Sequence, residues 1–181
     1  MTAVWLLPVV TLIVCSSSAG VLANALREYS MSHALITTTT AIFIVTVGFT
    51  LSFIIFAIYF QRLFIHGLPP GASVLTVFLP LGPTGQAGFA IILIGQNLNE
   101  LLPTKSSPSA SFMFLQWPDT GPVLYVLCVG VAFLLWTLAT MFLFFGLLAI
   151  ASALRKTRIA FTPNFWGLVF PNVSFDHLPT G

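Results

Sequence analysis

Apolar residues fill this chain in long blocks separated by short polar turns. The blocks cover about residues 3–25, 34–60, 74–102 and 122–153, and another begins at about residue 161. A helix rising 1.5 Å per residue crosses a hydrocarbon core of about 30 Å with roughly 20 residues. The pattern therefore predicts four transmembrane helices and the start of a fifth. The first block lacks a basic leader, carries Pro8 early and is long, so it is expected to span rather than be cleaved. The fourth is longer than a perpendicular crossing needs, which predicts a tilt or an extension beyond the membrane.

The third block is unlike the others. Its centre, from Val77 to Gln96, reads VFLPLGPTGQAGFAIILIGQ, with Pro80 and Pro83, Gly82, Gly85, Gly88 and Gly95, and Gln86 and Gln96. A lipid-facing helix has no use for such residues. A helix that breaks, or that lets backbone and ligand approach closely, does. Leu81-Gly82-Pro83-Thr84 is expected to interrupt the helix, with Pro83 in the first turn of a restarted one. On a wheel of 100° per residue, Gly85, Gly88, Ile92, Gly95, Gln96 and Asn99 share one bare and polar arc, with Gln86 at its edge. Two readings of the glycines stay open, close packing between helices and an anion path. Gln86 leans toward a polar role, because its amide needs a partner in lipid. Ser16 and Ser17 of the first span, on or near an arc shared with Gly20 and Ala23, carry the same two readings.

A short step recurs near one end of alternate spans: Leu6-Leu7-Pro8, Phe78-Leu79-Pro80 and Val169-Phe170-Pro171. Spans two and four have no interior proline. The repeat predicts helical hairpins, each a proline-bearing inner helix followed by a plain helix facing lipid, arranged around a pore.

Composition agrees with the periodicity. The 181 residues are 57% hydrophobic and 6% charged, with a mean hydropathy of +1.03. Soluble domains carry about 25% charged residues, so the chain is expected to be an all-α integral membrane protein. A net charge of +2 gives no footprint for nucleic acid. Cys15 and Cys128 lie inside apolar runs and are read as small hydrophobes without metal or disulfide. Asp176 and His177 stand near serines, but no Gly-x-Ser-x-Gly elbow, P-loop or HExxH accompanies them. Neither an enzyme nor a cofactor is expected. The sequon Asn172-Val173-Ser174 is inaccessible if that segment enters the membrane. Arg62, Arg155, Lys156 and Arg158 follow spans two and four, while Arg27 and Lys105 follow one and three together with Glu28, Glu100 and Asp119. The positive-inside rule then puts the N-terminus of this chain in the cytoplasm. No lysine or arginine lies inside a span. Uncharged dipoles, amides and hydroxyls would have to hold an anion, weakly enough to release it.

The hairpin repeat, the glycine-rich third span and the closing Phe165-Trp166-Gly167-Leu168-Val169-Phe170-Pro171 resemble the C-terminal half of the tellurite-resistance/dicarboxylate transporter family. This family includes plant slow-type anion channels, fungal malate transporters and fungal sulfite efflux pumps. The stretch LPPGASVLTVFLPLGPTGQAGFAIILIG is most similar to the sulfite pumps. The resemblance implies ten helices in five hairpins around a central pore, often in a trimer. This chain would supply helices five to eight and the start of nine. It implies a permease moving sulfite or hydrogensulfite outward across the plasma membrane without chemical conversion. The alternatives are a C4-dicarboxylate (malate) carrier of the same fold and a non-transporting remnant. It also implies a gate at Phe170, immediately before Pro171; the plain alternative is a packed aromatic at a helix kink.

Overall fold

The first and third helices are closed by local backbone rules, and the third is then buried by its neighbours. A computed structural model describes residues 6–66, 77–102 and 119–156. They form four helices and, among the described residues, no strand: α1 (Leu7–Leu26), α2 (Met31–His66), α3 (Leu81–Leu101) and α4 (Thr120–Lys156). The all-helical class expected from the sequence is what the structure has.

Pro8 stands in the first turn of α1, where a missing N–H costs nothing. At the other end Arg27 N–H closes on Ala23 O at 3.1 Å, and Ser30 N–H on Leu26 O at 2.9 Å. Ala34 N–H then bonds Ser30 O at 3.1 Å as α2 begins, so α1 and α2 form a tight hairpin. Threonines fill the first half of α2 without leaving a hydroxyl unpaired. Thr37, Thr38, Thr39 and Thr40 each donate to the carbonyl four residues back, at 2.8–2.9 Å.

α1, α2 and α4 are long and apolar enough to cross a membrane. With 36 and 37 residues, α2 and α4 measure about 55 Å at 1.5 Å per residue, well beyond the hydrocarbon core. They keep large side chains exposed along their length, among them Phe43, Phe53, Leu134 and Phe144. Lipid is the natural cover for such faces.

α3 is less apolar than the other three and packs against all of them. Enclosure explains its composition: a helix packed by neighbours over most of its surface does not need lipid-soluble side chains. The main core joins Ile13 of α1, Ala41 and Val45 of α2, Ala87, Ala90 and Ile94 of α3 and Leu135 of α4. Its alanines bring the backbones close, the packing mode of membrane interiors. Toward the other end Phe142 of α4 stacks on Phe60 of α2 with centroids 5.3 Å apart, and Phe56 tilts against it at 5.5 Å.

The start of α3 differs from expectation. Leu81–Thr84 do not interrupt the helix; they are its first turn. A short 3₁₀ turn at Val77–Phe78 and a turn at Leu79–Pro80 lead directly into it. Pro80 caps the helix with φ −61° and ψ −25°. Pro80 and Pro83 carry no N–H, and Gly82 N–H is taken by Leu79 O at 3.3 Å. Three of the four donors a helix start leaves open are thus absent or paired. Proline is well suited here because it removes donors that a buried end has to satisfy.

Candidate functional site: a polar seam between the first and third helices

The open side of α3 is a stripe. Gln86, Phe89 and Leu93 are half-buried, and Gln96 and Glu100 are exposed, at steps of three and four residues along one face. The arc of Gly85, Gly88, Ile92 and Gly95 is buried instead. It lies about 100° round the helix from the stripe that begins with Gln86.

α1 lies along this stripe. Gln86 Nε2 donates to Ser17 Oγ at 2.7 Å, and the Ser17 hydroxyl donates in turn to Val14 O at 2.9 Å. The bond occupies one of the amide's two donor hydrogens. One turn on, Gly20 of α1 lets Leu93 approach: a Cβ on Gly20 would stand 3.1 Å from Leu93 Cβ. Asn97, buried, donates from Nδ2 to Gly20 O at 2.8 Å. The seam therefore alternates hydroxyl–amide, close apolar and amide–carbonyl contacts along its length.

The seam opens at its far end into a pocket of about 390 Å³ lined by Asn24, Arg27, Gln96, Asn97, Asn99, Glu100 and Tyr125. Arg27 and Glu100 form an ion pair there, both partly exposed.

The candidate residues divide accordingly. Ser17 and Gln86 meet directly, and Gln96 lines the pocket. Ser16 points the other way and donates to Ala41 O of α2 at 2.8 Å. Gly95 faces α4, where an added Cβ would stand 2.7 Å from Cys128 Cβ. Gly82, Pro83, Gly85 and Gly88 are buried, the first two in the closed opening turn. Phe170 lies outside the described residues. Asn97 falls outside the polar arc that the sequence picks out, and its polarity two residues before Asn99 is the one signal of its role. Arg27 and Glu100 were legible only as loop charges, because nothing in the sequence brings those two turns together.

Apolar-faced helices around a polar inner one, with hydroxyl and amide groups along their seam, define an all-α multi-pass membrane protein. The chain matches the voltage-dependent anion channel family (SLAC1) over residues 1–176 and belongs to it. The resemblance read from the sequence is thereby borne out. Sulfite efflux pumps are among its relatives. The pump of Arthroderma otae is 33% identical over 171 residues, covering 94% of this chain and 42% of the pump. That of Trichophyton rubrum gives the same figures. The pump of Saccharomyces cerevisiae is 26% identical over 187 residues, covering 94% of this chain and 41% of the pump. The chain thus spans about two-fifths of the length of these relatives. No solved structure matches it.

Proposed function

We propose that this protein is an anion permease that carries sulfite or hydrogensulfite outward across the plasma membrane, with the seam between α1 and α3 as part of the path. The observation that carries the reading is the pairing of Gln86 with Ser17, an uncharged polar contact on an open helix face. Amides and hydroxyls bind an oxyanion by hydrogen bonds without the deep well of a buried cation, which suits passage rather than capture. The family is one of anion channels and the relatives above are sulfite efflux pumps, which favours sulfite over a C4-dicarboxylate.

Of the expected path residues, Ser17, Gln86 and Gln96 are the main carriers of this function. Gly82, Pro83, Gly85, Gly88, Gly95 and Ser16 support them by letting helices approach. Phe170 is the proposed gate, on the strength of the Trp166 to Pro171 step. The N-terminus of this chain faces the cytoplasm, so the Arg27–Glu100 pocket opens outward. A trimer is the proposed assembly.

Sulfite tolerance and export, measured beside malate uptake in cells expressing the protein, test the reading. Higher tolerance with export, lost in Gln86→Leu, is the expected result. Malate uptake without sulfite export would establish the dicarboxylate alternative, and neither activity would favour the remnant. For the gate, Phe170→Ala should raise anion conductance.

A further inference from the structure

The pocket at the end of the seam holds more donors than its own contacts use. Asn97 is committed to Gly20 O. Asn24, Gln96, Asn99 and Tyr125 line the same space and make no side-chain hydrogen bond to another described residue. Three amides and a phenol thus share the pocket with Arg27, whose guanidinium is paired with the carboxylate of Glu100. Glu28 beside it and Asp119 before α4 make the surrounding end acidic.

We propose that this pocket is an oxyanion exit site in which Glu100 is a built-in competitor for Arg27. The proposal rests on the anion-path reading and names a step of it. A small oxyanion leaving the seam at Gln96 meets amide donors first and then exchanges with the Glu100 carboxylate on Arg27. Charge-assisted bonds to a guanidinium are strong, and a free Arg27 would hold a divalent anion. Glu100 offers the same carboxylate geometry at high local concentration and returns once the anion departs. The acidic surround repels the released anion. Binding at this mouth is therefore weak by construction, and an ion is not trapped there. Such a site admits sulfite, hydrogensulfite or sulfate, whose oxygens accept several donors at once; chloride accepts the same donors without the fork geometry of Arg27.

The test is calorimetric titration of the purified chain in nanodiscs with sulfite, and with chloride as comparison. Glu100→Gln should tighten sulfite binding on the order of tenfold, because it removes the competitor and leaves a neutral donor. Arg27→Gln should abolish it. The double variant should bind as weakly as Arg27→Gln, and its helical circular dichroism reports whether the bundle is retained. Unchanged or weaker binding in a folded Glu100→Gln protein would overturn the proposal, as would full affinity in Arg27→Gln. The two readings fail separately. Sulfite binding that responds to both substitutions without any export in cells sinks the permease and keeps the site. Export with binding indifferent to both substitutions sinks the site and keeps the permease.

Discussion

Gln86 of α3 donates its amide to the Ser17 hydroxyl of α1 at 2.7 Å, across 69 residues of sequence. The contact joins two helices that belong to different hairpins. It also gives the half-buried amide the partner that an apolar surrounding demands. Ser17 needs no further acceptor, because its own proton goes to Val14 O. The pair is at once a clasp and the polar step of the seam.

The clasp should be measurable. Ser17→Ala leaves the Gln86 amide without its acceptor, and Gln86→Leu removes the donor. Interhelical hydrogen bonds in membrane proteins contribute about 0.5–2 kcal/mol. A double-mutant cycle on unfolding in detergent should give a coupling of about 1 kcal/mol, with the single Ser17→Ala variant the less stable of the two. Coupling indistinguishable from zero would mean that the contact is not made.

Gly95 should tolerate nothing larger. A methyl there would meet Cys128 Cβ at 2.7 Å and the Tyr125 ring at 3.3 Å. Gly95→Ala should therefore push α3 from α4 and destabilise the protein by about 1–3 kcal/mol. Cys128→Ser should not relieve it, because the Cβ stays; Cys128→Gly should. Gly130, with open space around it, is the control: Gly130→Ala should be neutral or slightly stabilising through helix propensity. Thermal unfolding of the four variants checks the order.

Much of this arrangement is visible in the residues themselves, and the reasons for the rest are physical. The long apolar runs, the back-bonded threonines of α2 and the need of Gln86 for a partner follow from what a bilayer cannot solvate. The facing of each helix does not follow so easily. A helix apolar on all sides, such as α2 or α4, has no stripe to read, since lipid and protein interior select the same side chains. The glycine arc of α3 was conspicuous because it is bare, and bareness serves close packing as well as a path; Gly95 serves packing against Cys128. The helical first turn at Gly82 is not legible from Gly82 and Pro83 alone, because it depends on Pro80, which caps the helix from outside it. The pairing of Arg27 with Glu100 depends on which helix ends meet, a property of the assembled bundle.

Gly146 makes a second close approach, at the opposite end. An added Cβ would meet three ring atoms of Phe78 at 2.7–2.9 Å. Phe78 is 3% exposed and packs with Leu81 and Ala139, so its ring has little room to yield. Gly146→Ala should cost about 1–3 kcal/mol, and Phe78→Leu in the same protein should recover part of that loss. Stability of Gly146→Ala equal to the parent would show that the 3₁₀ turn moves freely, contrary to its buried position.

Ser52 offers the reverse case. Its hydroxyl is fully buried and has no hydrogen-bond partner among the described residues. Such a group costs desolvation without return. Ser52→Ala removes it and leaves no large cavity, so the variant should be as stable as the parent or more so, by up to about 1 kcal/mol. A clear loss of stability would mean that the hydroxyl finds an acceptor, the carbonyl one turn back on α2 being the nearest in sequence.

Cys15 gives a probe of what covers the exposed face of α1. Cys15 is exposed and Cys128 is not. On α1, Pro8, Thr11, Cys15 and Ser18 are exposed on a single face that continues into exposed Leu22 and Ala25. From Pro8 to Ser18 this face lacks the larger aliphatic side chains that α2 and α4 turn outward, while Val21 and Leu22 supply them further along. Charged thiol reagents attack the thiolate and need water to reach it. In a Cys128→Ala protein reconstituted in vesicles, a charged methanethiosulfonate should modify Cys15. Modification by an uncharged, lipid-soluble maleimide alone would put this face against lipid. The anion path would then be confined to the Gln86 side of the seam, and α1 would contribute Ser17 and nothing beyond it.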